Sequence, residues 1–285
     1  MTGLRISNWE YHAHPALSTS GMKLLLDCPA KFRYRKQRTT DAMRIGTAVH
    51  SYILEPDREL PIVGPDIPRR STKDRKAWAD FFELNGATID TSKSATGWFE
   101  QFENQTGKIV VTQPEYEMID SMCESVHCHE RASQLLKHGD AELSFFADID
   151  GVEVKCRPDY KSDVLVDVKT CADASARGFA KTCANYKYQL QQAVYQEVVY
   201  RATGERLDFV FIAVEKEYPY LVAVYELDEE AVFNGVYLLD KAIKTFIECT
   251  DNDIWPGYTD NEELSIPIYE PEKFIYDLGD RELIS

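Results

Sequence analysis

The sequence predicts an α/β protein, and three observations carry that reading. Segments with apolar residues at helical spacing flank a middle stretch of short, β-branched, alternating runs. Asp150-Gly151 joins two of those runs as a tight hairpin turn would. A long helical pattern then leads to a second strand pair, which gives a core of helix, three-stranded meander, helix and strand, with a mixed central sheet flanked by helices and a helical N-terminal region.

Residues 18–36 read as a helix opened by Ser18 or Ser20, with Met22, Leu25, Leu26 and Cys28 on its apolar side and Pro29 as a break or restart. Residues 43–55 place Ile45, Val49, Tyr52 and Ile53 at helical spacing until Pro56 stops the run, and His50 lies inside that helix. Prolines and Gly64 make 63–68 a loop, and Trp78, Phe81, Phe82 and Leu84 return a helix over 71–84. Residues 87–112 show no sustained period, and 57–112 reads as an insertion. A helix opened by Pro114 covers 114–136. Residues 143–149 and 152–157 form the hairpin, and 164–168 an interior strand. A helix over 175–203 ends before Gly204. Strands at 207–214 and 220–227 meet around Pro219, and an amphipathic helix covers 228–249.

Composition narrows the class. No apolar run reaches the length of a membrane span and the start lacks a secretory apolar region, so a soluble, cytoplasmic protein without membrane partners is expected. Seven scattered cysteines with no C-x-x-C spacing suit reduced thiols. The net charge of -16 opposes nucleic-acid binding in bulk. Its distribution softens that: Lys31, Arg33, Arg35, Lys36 and Arg38 cluster, as do Arg69, Arg70, Lys73, Arg75 and Lys76, while acids crowd 226–230 and the C-terminal end.

Chemistry concentrates between residues 142 and 195. Asp167 and Lys169 sit two apart on a strand and project from one face. Asp159, after Arg157-Pro158, ends the preceding strand, and the hairpin brings it beside Asp167. Two carboxylates that close repel unless a cation lies between them, and Mg²⁺ suits all-oxygen ligands and retains water that can attack a phosphodiester. Lys169 would orient that water or offset charge on the phosphorane. The competing reading has Asp159 capping a turn while Asp167 and Lys169 pair on a solvated face. Glu142 upstream weighs against it.

The string from Val154 to Tyr195 (VKCRPDYKSDVLVDVKTCADAS…YKYQLQQAVY) resembles the PD-(D/E)XK nuclease superfamily, and within it the exodeoxyribonuclease VIII (RecE-type) branch of phages and prophages. Residues 8–31 and Gly46 through Pro56 are similar to the opening of that branch, and the likeness is weakest over 57–112. The resemblance implies that His50 is the helical histidine that approaches the metal from the side. It implies that Glu142, Asp159, Asp167 and the Val168 carbonyl are further metal ligands and that Lys169 is the catalytic lysine. Gln191 and Tyr195 match the Q-x-x-x-Y motif, whose spacing puts both on one helical face, to contact DNA or steady the lysine. It implies Mg²⁺, with Mn²⁺ as substitute, and 5′-to-3′ digestion of double-stranded DNA ends to leave 3′ tails for a single-strand-annealing protein. It also implies a ring-shaped homo-oligomer, trimer or tetramer. On this view residues 1–285 form one nuclease domain: a helical part (1–56), the insertion, the core (114–227), and a C-terminal helix with an acidic tail (228–285). Arg33, Arg35 and Arg44 are candidates for a 5′-phosphate contact.

Other chemistry fits less well. Cys123, His127, Cys128 and His129 lack a regular zinc spacing, and only Cys249 follows Tyr195, too few thiols for an iron–sulfur cluster of the RecB type. There is no G-x-x-x-x-G-K-[ST] loop and no Gly-x-Ser-x-Gly elbow. The alternatives that remain are a structure-specific or nicking endonuclease of the same fold, and a non-catalytic DNA- or protein-binding module.

Overall fold

The computed structural model describes residues 3–35, 41–54, 61–68, 71–92 and 94–258. The chain opens with α1 (Asn8–Ala13), β1 (Leu17–Ser18), α2 (Thr19–Asp27) and α3 (Pro29–Arg33). The Ser18 hydroxyl accepts from the Gly21 N–H and caps α2, and Pro29 restarts the helix as α3. In α4 (Asp41–Leu54) Val49 and Ile53 turn into the core, while the expected stop at Pro56 lies outside the described residues.

Next come β2 (Ile62–Val63), α5 (Thr72–Leu84), α6 (Ala95–Thr106) and β3 (Val110–Val111). Helix α6 was hidden in the sequence by the Thr and Ser clusters before it; it ends at Gly107, whose φ of 71° is the left-handed cap. The expected helix over 114–136 is two, α7 (Gln113–Cys128) and α8 (Glu130–Leu135), because the His129 Nδ1 accepts from the Ala132 N–H and caps the second.

The middle of the chain is a long bent hairpin. Strands β4 (Asp140–Ala141) and β5 (Phe145–Ile149) run out, Asp150 and Gly151 turn at φ 53° and 85°, and β6 (Val152–Cys156) and β7 (Tyr160–Lys161) run back. Only its outer half, with β1, makes the sheet β1-β6-β5; its inner half, β4 and β7, joins the sheet β10-β9-β8-β7-β4. The expected three-stranded meander is thus divided between two sheets. Pro158, with no N–H to offer the ladder, sits where the returning strand changes sheet.

Strand β8 (Val164–Cys171) is longer than its apolar stretch because every residue pairs in parallel with β9 (Asp208–Glu215). Between them lie α9 (Ala176–Tyr186) and α10 (Tyr188–Thr203), divided where one long helix was expected. The division is Lys187, left-handed at φ 50° and ψ 53°, a break with no glycine or proline to announce it. Strand β10 (Val222–Tyr225) pairs antiparallel with β9, and α11 (Glu229–Asn252) closes the described fold.

Both faces of the central sheet are covered. Leu165, Phe209 and Phe211 face α10 and α11; Val166, Val168, Val210 and Ile212 face α4, α7 and α8. A separate cluster of Trp78, Phe82, Trp98, Phe99 and Phe102 holds α5 and α6 together, and β3 joins it to the main core by turning Val110 one way and Val111 the other. Among the described residues no helix is long and apolar enough to cross a membrane.

The pairing of α10 with α11 depends on a residue without a side chain. A Cβ added at Gly235 would stand 2.2 Å from the Gln189 carbonyl oxygen, which as backbone has little room to yield. Gly235→Ala is expected to lower stability by about 1–3 kcal/mol despite the better helix propensity of alanine; urea unfolding would show this, and an unchanged midpoint would contradict the packing described.

Candidate active site

The site forms where the bent hairpin changes sheet. Glu142 follows β4 with φ 56°, an uncommon conformation for a residue with a Cβ, and its N–H donates to the Asp159 carbonyl oxygen at 3.1 Å. Arg157 holds this corner. Its guanidinium donates to the Ser144 hydroxyl at 2.8 Å and to the Ile6 and Ser7 carbonyls at 3.2 and 3.3 Å, and stands 3.9 Å from Glu142 Oε2. One buried cation therefore ties the N-terminal segment, the strand change and Glu142 together. The sequence displays that arginine in Arg-Pro-Asp but gives no sign of its role.

Asp159 is buried beside it. Oδ2 accepts from the Val168 N–H at 2.7 Å, and Oδ1 lies 3.4 Å from His50 Nδ1. Ligand atoms of His50, Glu142 and Asp159 all come within 4.8 Å of one another, which makes them the group of described residues able to hold a metal ion. The helical histidine and the two hairpin acids expected from the sequence thus meet.

Asp167 stands behind this group on β8, 1% exposed, on the face that looks toward α10. Gln191 of α10 donates to its Oδ1 at 2.6 Å. The Lys169 ammonium lies against Oδ2 as an ion pair, yet that buried oxygen accepts no aligned hydrogen bond. The Gln191 amide therefore steadies the partner of the lysine. Tyr195, one turn along α10, sits edge-on to Phe209, and burial followed by nearby Tyr11 and Asp167 pushes its phenol well above the ordinary range. For Val168 the contact seen is its N–H.

The charges reveal what the cluster lacks. Burial, then the charge of Asp159, raises the Asp167 carboxyl to about 6. Burial works the same way on Asp159, but His50, Lys169 and the Val168 N–H outweigh it and lower that carboxyl. Burial would lower His50, but Asp159 overrides it and raises the imidazole to about 9. Two buried carboxylates share one lysine and one histidine, with Glu142 beside them. That donor set, mostly oxygen with one imidazole, fits a hard divalent cation.

Other sequence candidates lie elsewhere. Cys123 of α7 donates to the Tyr52 carbonyl and His129 caps α8, so the zinc alternative finds no ligand group among the described residues. Arg44 donates to the Val110 carbonyl and to Glu115 at 3.0 Å, with a side chain 10% exposed, and stands apart from the acids of the site. Arg33 lies over Trp255 and Arg35 over Phe32, both exposed, while Lys36, Arg38, Arg69 and Arg70 fall outside the described residues.

Comparison with known proteins agrees with the geometry. Residues 18–266 match the model of a family described as a PDDEXK-like domain of unknown function (DUF3799). Among solved structures, the chain is similar to a candidate exonuclease from Eubacterium rectale at 17% identity, covering 97% of this chain and 98% of that one, with a TM-score of 0.60. At that identity the likeness speaks for the fold. A second structure, SSO0001, aligns at 13% identity over 75% of this chain and 93% of its own, with a TM-score of 0.28, and carries no argument. No curated protein matches the sequence significantly.

The bond from Gln191 to Asp167 can be weighed by itself. Gln191→Leu keeps the volume but leaves a buried carboxylate oxygen without its donor, and should cost about 1–3 kcal/mol in urea unfolding. A loss below about 0.5 kcal/mol would mean that the amide contributes little to holding Asp167.

Proposed function

The chain belongs to the PDDEXK-like family and carries a PD-(D/E)XK nuclease fold, and from that premise we propose that it is a metal-dependent exodeoxyribonuclease acting on linear double-stranded DNA. The observation that carries the proposal is the meeting of His50, Glu142 and Asp159 within 4.8 Å, with the Lys169–Asp167 pair beside them. His50, Glu142, Asp159 and Asp167, with the Val168 carbonyl, would hold Mg²⁺, or Mn²⁺ in its place. When bound, such an ion neutralises phosphate oxygens and makes a water more acidic.

The chain's own residues do the rest. Lys169, held by Asp167 and by the ring of Tyr188 4.8 Å away, presents an ammonium to the charge that builds on the attacked phosphate. Gln191 keeps Asp167 turned toward that lysine. Arg157 fixes the corner from which Glu142 reaches the ion. The Val168 N–H holds Asp159 against the repulsion of Asp167.

The name of the Eubacterium rectale protein supports exonuclease over endonuclease action. The sequence resemblance to the RecE-type branch supports 5′-to-3′ digestion, 3′ tails passed to a single-strand-annealing protein, and a ring-shaped homo-oligomer. In the same proposal residues 57–112 are an insertion, supported by their separate aromatic cluster.

With Mg²⁺ the protein should degrade linear duplex, stop on chelation, and leave covalently closed circles intact. Asp159→Ala and Lys169→Met should each lower the rate at least about a hundredfold. Cutting of closed circles would turn the reading to an endonuclease, and failure to cut either substrate would overturn it.

A further inference from the structure

Helix α2 brings a second lysine to the site. Lys23 is half-buried, with its Nζ 5.3 Å from the centroid of the Tyr188 ring that Lys169 approaches to 4.8 Å. Two ammoniums therefore share one aromatic ring. Lys169 has Asp167 against it, whereas Lys23 makes no ion pair or hydrogen bond with any described residue. The carboxylate nearest on its own helix, Asp27, is taken by Lys31 at 2.6 Å.

The surroundings make that position unfavourable for a resting cation. Burial, then the charge of Lys169 and also that of Lys187, lower the Lys23 ammonium to about 8, and Asp167 only partly opposes them. Most half-buried lysines settle against a carboxylate or reach their ammonium to open solvent. An unpaired one held beside another lysine is a position that an incoming anion relieves.

We propose that Lys23 is a substrate-phosphate contact: with Tyr188 and Lys169 it forms an anion subsite for a backbone phosphate next to the one being cut. This rests on the nuclease reading above and deepens it. In a chain of net charge -16, the Lys23 ammonium gives duplex DNA a local point of attraction on an otherwise acidic body. Tyr188 provides a flat support for both ammoniums, and Tyr186, stacked on it at 5.8 Å and 61% exposed, extends the platform to the surface.

Salt dependence separates a phosphate contact from a structural role. Binding of a short blunt duplex to the full chain is measured with Ca²⁺ in place of Mg²⁺ across a range of salt, for the wild type, Lys23→Gln and Lys23→Arg. Each phosphate engaged on duplex DNA contributes about 0.9 to the slope of log K against log salt. Lys23→Gln should weaken binding about tenfold and lower that slope by about 0.9, Lys23→Arg should restore most of both, and the thermal midpoint of Lys23→Gln should be unchanged or higher. A wild-type slope in Lys23→Gln, or a lowered midpoint with the binding loss unrepaired by arginine, would overturn the proposal while leaving the nuclease reading intact. If the wild type neither binds nor cuts duplex, the nuclease reading itself fails and this subsite with it.

Discussion

Asp159 is the point on which the arrangement depends. A buried carboxylate must find donors or a cation, and this one takes the Val168 N–H on one side and His50 on the other. Its place in the chain makes both possible. It follows Pro158, where the returning arm of the hairpin leaves one sheet for the other; its carbonyl still takes the Glu142 N–H, while the side chain reaches across to β8. The same step opens the corner in which Glu142 adopts its left-handed conformation and Arg157 gathers the N-terminal segment. Straightening the hairpin into a single regular sheet would remove the site along with the bend.

Around that carboxylate the charges are arranged in depth. Asp167 lies under α10, paired to Lys169 and bonded to Gln191, while His50 and Glu142 stand in front and are partly exposed. The rear pair is fixed by packing against an apolar layer, whereas the front group can take in a ligand. Such a division suits an ion-dependent enzyme, since the lysine must keep its position whether or not the ion is bound.

Much of this was legible in the sequence, and the parts that were not share a cause. Alternation and β-branching marked β5, β6, β8 and β9, and Asp150-Gly151 fixed the hairpin. The D-x-K spacing placed Asp167 and Lys169 on one face because a strand has a period of two. What stayed hidden depends on backbone conformation without a residue signature: the left-handed Lys187 that divides the long helix, the histidine cap at His129, and the passage of the hairpin between two sheets. Helix α6 escaped for a different reason, since its apolar side faces a small aromatic cluster of its own and the turn-forming residues before it masked its start. For the site, residue types and order were readable, but the direction of Gln191 toward Asp167 and the nearness of Lys23 to Tyr188 arise only from how α2 and α10 pack.

The central claim is that His50, Glu142 and Asp159 converge to hold a divalent ion with Asp167 close behind. Crystals of the full chain soaked in Mn²⁺ and measured at its absorption edge test this most directly. The account predicts an anomalous peak touching oxygens of Glu142 and Asp159 and a nitrogen of His50, at about 2.0–2.3 Å, the reach expected of such ligands. A peak elsewhere, or none at a concentration that saturates binding in solution, would contradict it.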